Sequence, residues 1–299
     1  MHLDARLTAL HALGGFFVLR TGAPPHGPLP SLAQAYGIES VDGGDGGDGG
    51  DEGDGGDGGD GAQDPSGDDA QAPGGDDAQA LGDDDAQAPG GTVPASAASD
   101  PLTVRVGRVA EGVRACEPRV AASIAQQGLA ARLWSAALGC AVLYGRVPDL
   151  DARLLRWDPA GSAPGELWLT EVRALPADPG TIADLVLRGH VEPLAAALHA
   201  RHRLAPALAR GNAASALAGT ARQLVRWARE NGRPRVAAHA RELTLRLLAD
   251  PALAGTGAFG GAGFRRRSCC LYYRVPGGGV CGDCCFTRAP RSSLGAVSE

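Results

Sequence analysis

Residues 42–90 limit how much of this chain can fold. They repeat Gly-Gly-Asp and then, at Asp68, Asp76 and Asp84, Asp-Asp-Ala-Gln-Ala. The stretch holds sixteen acidic residues, no basic ones and almost no apolar side chains. Dense like charge without burial cannot offset the entropy lost on ordering. The reading is therefore a long disordered acidic insertion or linker over 42–99, with roughly 250 residues left for a core. The same stretch hides the charge of the remainder. The chain is net -6, yet with 42–90 set aside twenty-eight basic residues face eighteen acidic ones. All the basic residues are Arg, which with the abundant Ala, Gly and Pro fits the codon usage of a GC-rich genome.

Gly43 to Asp48 match the first six positions of a calcium-binding β-roll repeat. Gly49-Gly50-Asp51 follow where that repeat needs a large apolar residue, so no β-roll is expected. The apolar run Leu7 to Leu19 has no small-x-small cleavage site before Pro24-Pro25 and is not read as a signal peptide. No stretch approaches eighteen uninterrupted apolar residues, so no spanning helix is expected. Without export, clustered thiols stay reduced, and the expected compartment is cytoplasmic.

The foldable parts read as mainly α (α+β), a helical domain with a few short strands and a C-terminal cysteine-rich cluster-binding loop. Four segments are expected: 1–41, the N-terminal part of the domain; 42–99, the insertion; 100–255, the helical body; and 256–299, the cysteine-rich segment. Residues 2–13 suit a helix, ended by Gly14-Gly15 before a β-prone run Phe16 to Leu19, and Leu32 to Ile38 suit a second short helix. Pro118 marks the first turn of a helix to about Tyr144, with Val120, Ile124, Leu129, Leu133, Ala137, Leu138 and Ala141 on one face. Cys140 lies on that stripe as a small core residue; Cys116 is similarly isolated. Glu166 to Val172 alternate like a half-buried strand.

Thr181 to Ala249 read as mainly helical. Asn212 is a candidate N-cap for a helix ending near Gly232, and Val236, Ala240, Leu243 and Leu247 define another. Arg222, Arg226 and Arg229 make a guanidinium stripe, read as a solvated face. His199 and His202 stand three residues apart without the carboxylate of an H-E-x-x-H pattern and are read as exposed. Gly255 to Gly260 spell G-x-G-x-x-G, but the run follows a helix and precedes no helical pattern, so it is read as a hinge and not a dinucleotide loop. No G-x-S-x-G, Walker loop or nucleophile triad is found.

Five of the seven cysteines fall within residues 265–285, and Cys269, Cys270, Cys281 and Cys284 are spaced C-C-x10-C-x2-C. Four thiolates complete either an iron–sulfur centre or a zinc site. Zinc usually takes two separated C-x2-C pairs, whereas here the first two cysteines are adjacent. Adjacent side chains of an extended segment point apart, so both reach one centre only if the backbone turns sharply or the centre is wide. Spacing alone favours [2Fe–2S], with zinc and disulfides as the other readings.

The run Arg-Ser-Cys-Cys-Leu-Tyr-Tyr-Arg, followed by Cys-Gly-Asp-Cys, resembles the C-terminal signature of the FhuF-like ferric-siderophore reductases. Arg132-Leu133-Trp134-Ser135 and Gly211 to Leu217 are similar to that family's helical body, which is related to the C-terminal region of siderophore synthetases of the aerobactin type. The resemblance covers about 100–299. It implies that Cys269, Cys270, Cys281 and Cys284 hold a [2Fe–2S] cluster, with no catalytic residue beyond it; Cys285, one place later, is a substitute ligand. The implied activity is one-electron reduction of siderophore-bound ferric iron, releasing ferrous iron for uptake. The implied partners are a ferric siderophore of hydroxamate type, an electron donor such as a ferredoxin or flavin reductase, and a transient contact with a membrane transporter, with no nucleic acid. Arg265, Arg266, Arg267, Arg274 and Arg288 are candidates for attracting substrate or raising the cluster's potential. The alternative is a non-enzymatic siderophore-binding module whose four cysteines hold a structural zinc ion.

Overall fold

In the computed structural model the described residues are 7–24, 27–38, 100–161, 167–260 and 263–290. The expected insertion lies outside them. Met1–Val41 and Ala98–Glu299 belong to one compact unit. Its helices are α1 (Leu32–Tyr36), α2 (Pro101–Val113), α3 (Pro118–Tyr144), α4 (Pro179–Ala183), α5 (Glu192–His202), α6 (Pro206–Glu230) and α7 (Pro234–Leu248). The longer ones start where their chemistry dictates. Pro101, Pro118, Pro179, Pro206 and Pro234 stand in first turns, where a missing N–H is harmless. Asp100 and Asp178 cap α2 and α4 by accepting from the N–H of Thr103 and Thr181. Ser31 and Gln34 close a reciprocal capping box on α1.

The core sits around α3, which is enclosed on nearly all sides; Ala121, Ala130, Leu133, Trp134, Leu138 and Ala141 are all buried. Helix α6 packs along it and presents Ala213, Ala214, Ala218 and Ala221 with Leu217 and Leu224. Small side chains let two long helices approach closely. Trp134 Nε1 donates to Ala213 O at 3.1 Å, so the largest core side chain is also satisfied. Each buried Leu or Val adds about 1.5–3 kcal/mol.

Short strands border this pair. β4 (Leu167–Leu169) lies between β1 (Arg20–Thr21), parallel, and β3 (Leu155–Trp157), antiparallel, with Trp168 opposite Arg20 and Arg156. β2 (Arg146–Pro148) pairs antiparallel with β5 (Ala174–Pro176), and β6 (Gly257–Gly260) pairs with β7 (Gly263–Arg266) as a hairpin. The N-terminal segment is held by buried Arg132 of α3, which donates to Gly15 O and Val18 O. Phe17 packs over Gly139, where a Cβ would meet its ring at 3.0 Å.

Helix α4 continues through a π-helical stretch, Asp184–Val191, into α5. Pro193 cannot supply the N–H that an α-turn would give to Gly189, which accounts for the wider winding. This stretch carries His190, buried between Tyr36 OH, 2.9 Å from Nδ1, and Leu150 O at Nε2. The carbonyl can only accept, so Nε2 carries the proton and Nδ1 accepts from tyrosine. Burial lowers the His190 pKa to about 4 and raises that of Tyr36.

α1, α3 and α7 fall where the sequence reading expects helices, with α1 ending at Tyr36 and not Ile38, and the strand around Trp168 matches as well. Three expectations are corrected. Phe16–Leu19 is no strand: Gly15–Phe17 is a 3-10 turn, because Phe17 must bury against Gly139. Asn212 is no cap; α6 starts at Pro206 and encloses it. The G-x-G-x-x-G run is no hinge, since Gly257 to Gly260 form a strand of the hairpin. Phe264 and the Arg265 carbonyl lie 2.4 and 2.6 Å from where a Gly257 side chain would start.

Candidate metal centre

The cysteines follow the β6–β7 hairpin directly. Leu271, at φ +67, takes the left-handed conformation and turns the chain sharply just after the adjacent pair. A 3-10 turn, Tyr272–Arg274, follows. The chain then doubles back at Gly278, whose N–H donates to Val275 O at 2.7 Å and whose missing Cβ would lie 2.4 Å from Tyr272 O. A second turn brings the Cys284 N–H to Cys281 O at 3.1 Å.

Backbone N–H groups meet the sulfurs in a regular pattern. Leu271 N–H donates to Cys269 Sγ at 3.3 Å and Phe286 N–H to Cys284 Sγ at 3.4 Å. The N–H groups of Tyr272 and Asp283 act likewise on Cys270 and Cys281. Cys269 and Cys284 thus each receive the N–H two residues ahead. The thiols of Cys270 and Cys281 touch, as do those of Cys284 and Cys285, with Cys269 near both Cys270 and the second pair. Among the described residues no three His, Cys, Asp or Glu side chains close on a point for a single ion.

Charge around the thiols is uneven. The Cys281 thiol beside it draws Cys270 down to about 6, helped by the Arg266 guanidinium, and Cys281 is raised in turn. Burial pushes Cys269 up to about 11 and also raises Cys285. Arg266 on β7 is only 2% exposed. Its Nη2 donates to Asn212 Oδ1 at 2.5 Å, while Nε and Nη1 are buried without a partner. The hydroxyl of Ser268 is likewise unsatisfied.

A polar chain fastens this lobe to the helices. Ser123 of α3 donates to Cys270 O at 2.7 Å and accepts from Asn212 Nδ2 at 3.0 Å. Buried Asp283 accepts from Ser215 at 2.6 Å and from both Nη atoms of Arg222 at 2.7 and 3.2 Å. A Cβ on Gly211 would lie 2.1 Å from Ser268 Oγ, so α6 must be bare there for the lobe to seat.

Residues 266–286 match the family model of the FhuF 2Fe-2S C-terminal domain. The chain carries a C-terminal [2Fe–2S] segment of FhuF type. No curated protein matches the chain. The residues present fit such a group: five thiols, N–H groups on four of the sulfurs, and buried unsatisfied donors on Arg266 and Ser268. Of the arginines expected near it, Arg266 alone is buried. Arg274 pairs with Glu117 instead, Arg265 donates to Cys285 O, and Arg267 and Arg288 are exposed. Arg222 of the expected solvated stripe is bound to Asp283. His199 is exposed, with Nδ1 2.9 Å from Leu204 O, whereas His202 is half-buried. Ser123, Ser215 and Asp283 carried no motif of their own in the sequence. Asp283 stands between the last two motif cysteines, the one signal that could have marked it.

Proposed function

We propose that this protein reduces ferric iron held by a siderophore, and that Cys269, Cys270, Cys281 and Cys284 hold the [2Fe–2S] group. The Phe286 N–H on Cys284 Sγ, matching the Leu271 N–H on Cys269 Sγ, supports Cys284 over Cys285 as the fourth. The arrangement of the four, Cys269 and Cys270 before the 3-10 turn and Cys281 and Cys284 after the chain doubles back, suits a centre with two metal ions. When bound, such a group supplies one-electron chemistry, turning Fe(III) to Fe(II), which hard oxygen ligands hold far more weakly. The electron comes from a separate donor such as a ferredoxin or flavin reductase.

The observation that carries the reading is a cleft of about 1160 Å³ with Cys270 and Cys281 in its wall. Ile124, Ala125 and Gly128 of α3, Val109 of α2 and Tyr272 of the lobe give it a mostly apolar lining. That lining suits the aliphatic arms of a hydroxamate chelate. Arg105 and Arg108 of α2 stand in the wall, tied to Gly161 O and Ala160 O. The chain's own contribution is to place a chelate beside Cys270 and Cys281 in the cleft wall.

Dithionite should bleach the purified protein, and a ferric hydroxamate should restore its colour with one Fe(II) trapped per cluster. A colourless protein holding one zinc, the binding-module reading, would sink the proposal. Gly112 lines the cleft with open space at its Cβ. Gly112→Trp should slow reoxidation by the chelate at least tenfold and leave bleaching unchanged; equal rates would move the chelate elsewhere.

A further inference from the structure

We infer that Arg266 is the counter-ion of the [2Fe–2S] group and holds its reduction potential up. The inference rests on the presence of that group, but not on what it reduces. Four observations converge. The guanidinium is buried, and among the described residues no carboxylate pairs with it. Asp283, the nearest buried acid in the lobe, takes its hydrogen bonds from Ser215 and Arg222, and only its backbone carbonyl meets Arg266, accepting from the Arg266 N–H at 3.0 Å. Two guanidinium nitrogens have no acceptor. Its Nη2 reaches the Asn212 amide, which is joined through Ser123 to the Cys270 carbonyl.

A buried cation left without an anion costs several kcal/mol, and each unsatisfied N–H adds to the penalty. A carboxylate partner is the usual remedy. Here the remedy is the thiolate-bound group: four thiolates on an oxidised two-iron, two-sulfide core leave a net charge of about two negative, and one electron adds a third. The guanidinium therefore stabilises the reduced form more than the oxidised one. Its free N–H groups favour the same form by donating to sulfur. Asn212 acts as a positioning residue, since its amide accepts from Arg266 while donating to Ser123, which in turn donates to Cys270 O. The chain of contacts sets the guanidinium and the Cys270 backbone in one frame. The neighbouring arginines cannot substitute: Arg265 and Arg267 are exposed and Arg274 is tied to Glu117.

The test is a spectroscopic redox titration of the full chain carrying its cluster. At a fixed ambient potential, Arg266→Gln should lower the ratio of reduced to oxidised cluster at least tenfold, a shift of about 59 mV downward for one electron. Arg266→Lys, which keeps the charge but loses the planar fork, should fall between the two. Arg267→Gln should match the unaltered protein. An intact Arg266→Gln cluster with an unmoved potential would overturn the inference while leaving the cluster reading standing. A colourless unaltered protein would instead overturn the cluster reading. Should Arg266→Gln fail to fold, pulsed EPR of the reduced, unaltered protein labelled with 15N-arginine decides. A nitrogen coupling that disappears in Arg266→Lys supports the contact, and no coupling in the unaltered protein refutes it.

Discussion

Cys140 and Cys270 are buried to the same degree, 0% and 4% exposed, in two different kinds of surroundings. Cys140 sits on α3 among aliphatic side chains, and burial pushes its thiol up to about 12. Cys270 sits in the lobe, where a touching thiol, backbone N–H groups and a guanidinium bring it down to about 6. In the helical core, removal from water acts almost alone and favours the neutral form, as it also does for His190. At Cys270 the same removal is outweighed, first by the Cys281 thiol, whereas at Cys269 and Cys285 in the same lobe burial still raises the thiol. Burial tells how strongly a group feels its neighbours; the neighbours decide the sign.

The largest test of this contrast removes thiols from each region. Cys270→Ser and Cys281→Ser should abolish visible absorption and iron content, whereas Cys140→Ala should keep both at the unaltered level. Cys284→Ser should behave like the first group and Cys285→Ser like the second. Iron and sulfide assays with the visible spectrum read the result; a colourless Cys285→Ser with a coloured Cys284→Ser would exchange their roles.

A smaller effect is expected at the seam between the regions. Gly211→Ala forces α6 against Ser268 and should cost about 1–3 kcal/mol with partial loss of cluster. Gly107→Ala on α2 meets nothing within 4 Å. It should gain about 0.4–1 kcal/mol by restricting the unfolded chain. Thermal melts with cluster content compare the two, and an undisturbed Gly211→Ala would contradict the tight seating.

Within the core, His190 offers a pH test. Its folded pKa of about 4 lies below the usual 6.5. Between these values the unfolded chain takes up a proton that the native one refuses, so stability falls as pH drops. The loss between pH 7 and 5 should be about 2 kcal/mol from this residue. Urea unfolding followed by helical circular dichroism checks it, and His190→Gln should flatten the slope. An unchanged slope would mean that the ring is not held neutral.

Much of this molecule is legible in its residues. The 118–144 and 234–248 helices follow from proline starts and three- and four-residue apolar steps. The cysteine spacing alone favours a thiolate centre over disulfides. The misreadings share a cause: Phe17 winds into a 3-10 turn, Gly257 enters a strand and Asn212 sinks into a helix because of partners far along the chain or across a hairpin. Local pattern cannot express those partners.

The sequence by itself determined that Cys269, Cys270, Cys281 and Cys284 would lie in one short segment, because spacing along a covalent chain bounds how far apart they can lie. Only the tertiary structure decided which arginine is buried, since Arg265, Arg266, Arg267 and Arg274 are alike as residues. Packing of β7 against α6 buries Arg266 beside Asn212 and leaves its neighbours on either side in solvent, and that difference arises from contacts between segments that no spacing records.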